Sequence, residues 1–167
     1  MGSDLNRDEI VGTPTGKSVV TIERGPVTQF AASVTETSPI YRDGEAATGA
    51  GLPGIPTPPT YFFSAAGFWG AFREDQPADA VPDRNPVMEV IGKLRTKGGM
   101  ILHGEQEFEY HQPVVVGDRI SSEGKIVDLY EKQAGEHTMT FLVTENQYRN
   151  QDGDLVLTSR TNLIHRA

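Results

Sequence analysis

An α+β fold, with one antiparallel sheet wrapped around a single apolar helix, is what three features of the 167-residue sequence predict. Residues 59–72 are apolar on every side of a helical wheel, which leaves no stripe for water. From residue 105 onward, segments alternate apolar and polar residues with a period of two, the mark of half-buried antiparallel strands. No repeat or low-complexity tract separates the two halves, so a single domain over 1–167 is expected, with residues 1–12 as a lead-in.

Each element has its own local reason. Val19, Val20 and Ile22 give Ser18 to Glu23 the β-branched bulk of a short strand. Gly25-Pro26 then opens a helix, since proline at the first helical position sacrifices no hydrogen bond. Val27, Phe30, Ala31 and Val34 follow at i, i+3, i+4 and i+7, one buried stripe. Residues 35–58 read as an ordered loop with one helical turn around Glu45 to Thr48. Gly44, Gly49, Gly51 and Gly54, with Pro39, Pro53, Pro56 and Pro58, break any longer helix.

The apolar helix is expected over Pro59–Phe72, about four turns. Gly67 and Gly70 cost it roughly 1 kcal/mol each, and close approach of a neighbouring backbone is the expected return. Glu74 to Pro86 reads as an exposed, proline-rich acidic loop. In Glu105 to His111, Phe108 and Tyr110 point one way and the glutamates and His111 the other. After the turn at Val116-Gly117-Asp118 come strands at Ile120 to Leu129 and His137 to Thr144, the latter with Met139, Phe141 and Val143 on one face. Asn150 to Gly153 turns the chain, its Asp-Gly pair being a hairpin signal, into a strand at Leu155 to Ile164. An open sheet around one helix is a hot-dog arrangement. It leaves its edges bare, so pairing with a second copy or a related chain is expected.

Composition narrows the function classes. Fifteen Lys+Arg against twenty-three Asp+Glu give a net charge of −8, which opposes binding to nucleic acid or an anionic membrane surface. The absence of cysteine excludes disulfides, thiolate nucleophiles and Cys-ligated metal, and fits a cytoplasmic protein. No apolar run approaches the roughly 20 residues of a membrane span, and Met1 to Asp4 is too polar for a signal peptide. His103, His111, His137 and His165 lack the i, i+4 spacing of a zinc pair, so no metal or cofactor is expected. Gly16-Lys17-Ser18 superficially matches the end of a phosphate loop, but Val11 stands where the upstream glycine belongs.

Thr35 to Asp43, Gly51 to Phe62 and above all His103 to Ile120 resemble the MaoC-like dehydratase N-terminal family, hot-dog proteins that act on acyl thioesters. In style the chain is similar to the small subunits of (R)-3-hydroxyacyl-ACP dehydratases. Active members carry Asp-x-Asn-Pro-Leu/Ile-His-x-Asp, whose Asp and His move a proton and a water at the α and β carbons. Position by position, this chain has Glu36 for the catalytic Asp, Ser38 for the Asn, matching Pro39 and Ile40, Tyr41 for the catalytic His, and Asp43 at the last acidic position. A tyrosine with an ordinary pKa of about 10 is a poor base at neutral pH.

The resemblance therefore implies a substrate-accommodating, catalytically degenerate subunit paired with a catalytic hot-dog partner. The reaction would interconvert (R)-3-hydroxyacyl and 2-enoyl thioesters of coenzyme A or acyl carrier protein. Glu36 and Tyr41 are the degenerate catalytic positions; Asp43, Thr57, Thr60, Tyr61, Phe62 and Phe63 are the expected substrate contacts. Plainer roles compete: a solvated acid at a helix end for Glu36, a packed ring for Tyr41, a turn acid for Asp43. Thr57-Pro58-Pro59-Thr60 is either a helix start or the place where amides from Thr60 onward meet a thioester carbonyl. Two other functions stay open: a self-sufficient homodimeric hydratase using Glu36 with Tyr41 or another residue, and a non-enzymatic acyl-thioester-binding module.

Overall fold

The computed structural model describes residues 5–64, 66, 69–80 and 85–167. Five strands form one antiparallel sheet: β1 (Pro14–Thr21), β2 (Met100–Tyr110), β3 (Arg119–Ala134), β4 (His137–Arg149) and β5 (Leu155–Arg166). Their order is β1-β3-β4-β5-β2, so the longest strands lie in the middle. Ala134 pairs with His137 across a tight turn in which Gly135 has φ +64°. The next turn is the expected one. Asn150 Oδ1 accepts from the amides of Asp152 (3.1 Å) and Asp154 (2.9 Å), and Gly153 has φ +86°.

One face of this sheet is buried beneath helices in two separate places. In the first, Val27 and Phe30 of α2 (Arg24–Ser33), Ile55, and Tyr61 and Phe62 of α4 (Tyr61–Ser64) pack with Val20, Ile120 and Leu157. In the second, Val90 and Leu94 of α5 (Pro86–Arg95), with Leu5, pack with Ile126, Leu129 and Leu142. Each such side chain removed from water contributes on the order of 1.5–3 kcal/mol before ordering entropy is subtracted. Two further short helices among the described residues are α1 (Arg7–Ile10) and α3 (Gly44–Gly49), with 3-10 turns at Pro39–Tyr41 and Arg73–Asp75. The architecture is the α+β hot-dog fold.

Several expectations change. The helix expected over Pro59–Phe72 is helical over Tyr61–Ser64; Ala65, Gly67 and Phe68 of that expectation lie outside the described residues. Ala66 is in a turn, Trp69 and Gly70 in a bend, so the four-turn cylinder does not reach Phe72. Gly70 supplies the reason: at φ +78° its carbonyl accepts from the Thr21 amide at 2.8 Å, which draws the chain off its helical course and along β1. A side chain at Gly70 would collide with the Thr21 carbonyl, so the close backbone approach expected of this glycine is present. The segment is accordingly not buried all round: Phe63 is 54% exposed and Trp69 43%.

Val34 is likewise exposed, one residue beyond the end of α2. The face of β4 that carries Met139, Phe141 and Val143 points away from the helices, while Thr140 and Leu142 turn inward. On that outer face Phe141 stacks on Tyr130 at 4.8 Å. Helix α5 follows the acidic loop directly. Asn85 caps it by accepting from the Met88 amide at 3.2 Å, and Pro86 takes its first turn. Part of the expected lead-in is docked, since Leu5 is buried in the second cluster and Arg7 pairs with Asp128 at 3.0 Å.

Candidate functional site

The loop between α2 and α4 begins and ends in left-handed backbone, with φ +57° at Thr35 and +67° at Thr60. A β-branched residue held there stores on the order of 1–3 kcal/mol, so neighbouring contacts must impose it. At the near end the Glu36 amide donates to the Ala31 carbonyl at 2.8 Å. At the far end the Thr60 amide donates to the Tyr110 hydroxyl at 3.0 Å.

Between these anchors, residues 36–42 are clamped upon themselves. Half-buried Glu36 accepts from the Ser38 amide through Oε1 at 2.8 Å. The Arg42 guanidinium donates to the carbonyls of Glu36 (2.6 Å) and Ser38 (3.4 Å), and Arg24 donates to the Arg42 carbonyl at 2.8 Å. The resulting 3-10 turn holds Tyr41 half-buried. Burial, then the Glu36 charge, then Tyr110 push the Tyr41 hydroxyl above the ordinary tyrosine value of 10.0. Tyr41 therefore keeps its proton at neutral pH. Asp43 is exposed and caps α3, accepting from the Ala46 amide at 2.9 Å.

A hollow of about 270 Å³ lies beside this loop, lined among others by Thr57, Phe62, Tyr110, His111 and Val114. The Thr57 amide donates to the Val114 carbonyl at 2.8 Å, which pins the loop to the segment before β3. A second hollow of about 190 Å³ is lined by Ser18, Ser122, Asn146 and Tyr148, and Phe62 lines both. The Phe62 ring meets Tyr148 edge-on at 5.0 Å. Tyr61 is 1% exposed, set between Phe30 and Phe62, and burial first pushes its hydroxyl up to about 12. Phe63 points elsewhere, against His103 at 5.2 Å. Two further hollows, of about 250 and 270 Å³, lie around Lys17 and Glu123, away from Tyr41.

The structure thus bonds Thr60 to Tyr110 and sets Tyr41 within electrostatic reach of both Glu36 and Tyr110, with Thr57 and Phe62 in the hollow that Tyr110 also lines. Of the other expected site residues, Glu36, Tyr41, Asp43, Thr60, Tyr61 and Phe63 do not line it. Tyr110 and His111 are the residues that sequence reasoning missed. Tyr110 shares a face with Phe108 at the end of β2, and its ring stacks on Phe108 at 6.1 Å. The amide at Thr60, a candidate donor to a thioester carbonyl, is occupied by the Tyr110 hydroxyl. His111 bonds Thr158 Oγ1 at 3.1 Å, His165 the Gly98 carbonyl at 2.7 Å and His137 the Ala167 carbonyl at 3.2 Å. Among the described residues no imidazole hydrogen-bonds Glu36 or Tyr41, and no group of three potential ligands is placed to hold a metal ion. No helix among the described residues is long and apolar enough to cross a membrane.

An antiparallel sheet with helices packed on one face is the hot-dog architecture, which hydratases and dehydratases share. The chain belongs to the FAS1-like, dehydratase domain region family, whose model matches residues 9–159. It is 27% identical over 163 residues to a UPF0336 protein of Parafrankia sp. (strain EAN1pec), covering 97% of this chain and 95% of that one. The ChsH1-ChsH2 complex from Mycobacterium tuberculosis is similar in structure, with TM-score 0.73, 20% identity, and coverage of 91% of this chain and 83% of that one. So is the C-terminally truncated HadBC (3R-hydroxyacyl-ACP dehydratase) complex from Mycobacterium tuberculosis, with TM-score 0.62, 22% identity, and coverage of 92% and 96%. At these identities the solved structures speak to the fold.

Proposed function

We propose that this chain is the substrate-accommodating, catalytically degenerate subunit of a heteromeric hydro-lyase. The complex would interconvert (R)-3-hydroxyacyl and 2-enoyl thioesters carried by coenzyme A or acyl carrier protein. The observation that carries this reading is the environment of Tyr41. It occupies the motif position of the imidazole, yet its surroundings hold its proton more tightly than in water. Glu36, at the carboxylate position, is bound by the Ser38 amide through one oxygen and has no imidazole bonded to it among the described residues, so the pair that would carry the proton is incomplete here. The two hollows on either side of Phe62 support the accommodating role, offering an acyl chain an aromatic wall. Complexes of two different subunits among the structural neighbours support the heteromer.

The test is a hydratase assay on a short enoyl-coenzyme A with this chain alone, with a hot-dog subunit carrying the intact Asp and His motif, and with both. Activity is expected in the mixture and absent from this chain alone. Glu36→Gln and Tyr41→Phe are expected to leave the mixture's kcat within about threefold, since neither group moves the proton; loss of a working acid or base costs about 10²–10⁴. A chain that hydrates the substrate unaided overturns the reading. His111, which lines the hollow with Tyr110, is then the imidazole to substitute first. Ligand binding without turnover in any mixture would leave a thioester-binding module.

A further inference from the structure

The two edges of the sheet are treated differently. Along β1 the outward groups are taken by the segment that follows α4. Thr21 donates to the Gly70 carbonyl and Lys17 to the Ala80 carbonyl, both at 2.8 Å. Between them the Gln76 carboxamide grips Val19 with both hands, accepting from its amide at 2.9 Å and donating to its carbonyl at 2.8 Å. Strand β2 pairs with β5 on one side, and among the described residues nothing pairs the other. It is eleven residues long, and Met100 (56% exposed) and Leu102 (39%) put an apolar step on one face of its first half. A bare edge of that length is a template for another strand.

The charge on this edge decides which strand it accepts. Glu105, Glu107 and Glu109 alternate along β2, all exposed and all on one face of the sheet. Among the described residues, Arg160 on β5 is the cation recorded against them, 3.4 Å from Glu107 and already 2.9 Å from Glu145. When a sheet continues across an edge, side chains directly opposite each other share a face. A twofold pairing of residues 105–109 with their own copy sets residues of equal parity opposite, so glutamate meets glutamate. Slipping by one residue would turn one copy's helices to the wrong side of the sheet. The chain's net charge of −8 adds to the repulsion.

We propose that the Glu105-Glu107-Glu109 ladder on the free edge of β2 rejects a second copy and selects a hot-dog partner whose edge strand presents lysine or arginine on the same face. The proposal deepens the heteromeric reading and rests on it, but its test needs neither substrate nor the natural partner. Sedimentation at low ionic strength compares four samples: wild type, the triple variant Glu105→Lys/Glu107→Lys/Glu109→Lys, the triple variant Glu105→Gln/Glu107→Gln/Glu109→Gln, and an equimolar mixture of wild type with the lysine variant.

The mixture is expected to form a 1:1 dimer at least tenfold tighter than either component forms with itself, weakening as salt is added. The glutamine variant is expected to self-associate about tenfold more tightly than wild type. It decides the matter alone if circular dichroism shows the lysine variant unfolded. A mixture no tighter than wild type with itself, or wild type pairing as tightly as the glutamine variant, overturns the ladder. A wild-type chain that hydrates substrate unaided overturns the degenerate-subunit reading instead, and leaves these ratios to be read on their own.

Discussion

A phenol and an imidazole release their protons about 3.5 pKa units apart, and the surroundings of a residue can close or widen that gap. At Tyr41 they widen it, because burial and the Glu36 carboxylate both disfavour a phenolate. The sequence shows the exchange of residue at this position; it does not show the direction of the shift, which depends first on the burial of Tyr41 in the folded loop and then on the Glu36 carboxylate. Tyr61 permits a cleaner measurement. Its hydroxyl is raised to about 12 from 10.0, so the folded state holds that proton more tightly than the unfolded chain. The contribution is complete below about pH 10 and is lost as pH rises through 10 towards about 12. Thermal melts at alkaline pH should therefore show wild type losing stability more steeply than Tyr61→Phe between those values. Parallel profiles for the two proteins would mean that the phenol is not held protonated by its packing against Phe30 and Phe62.

Elements were legible where their signals were local, and misread where a distant backbone intervened. The β strands and α2 follow from periodicity, although Pro14 and Gly16 extend β1 beyond its β-branched run because β3 offers partners there. Val87, Val90, Ile91 and Leu94 carry a helical stripe behind an Asn-Pro cap, a local signal that the sequence reading, which ends its loop at Pro86, passes over. That the chain has left its helical course by Gly70 could not be read at all, since Thr21 reaches the Gly70 carbonyl across the fold. That same strap depends on Gln76. Removing its carboxamide in Gln76→Ala leaves the amide and carbonyl of Val19 without partners and also frees the Phe72 carbonyl. A loss of about 1–3 kcal/mol in urea unfolding is expected, with a second strand edge now open to association. A variant of wild-type stability that stays as monodisperse as the parent would show that the strap is held by Gly70 and Ala80 alone.

At the scale of the whole molecule, two apolar clusters rest on one sheet, and only the first adjoins the candidate site. Tyr61 and Phe62 belong to it together with Phe30, whereas Leu94 sits in the second with Leu5 and Leu142. The clusters share no member, although the central strands run through both. Phe30→Ala and Leu94→Ala should each cost about 2–5 kcal/mol, and the double variant should equal their sum within about 0.5 kcal/mol. Urea unfolding of the three proteins measures this, and a coupling above about 1 kcal/mol would mean one continuous core. The functional consequence separates the clusters further. In the assembled complex Phe30→Ala, behind Tyr61 and Phe62, is expected to weaken binding of an acyl thioester. Leu94→Ala of comparable instability is expected to leave it unchanged at temperatures where both remain folded. Equal loss of binding in the two variants would show that the site answers to overall stability; an unequal loss ties it to the aromatic packing around Phe62.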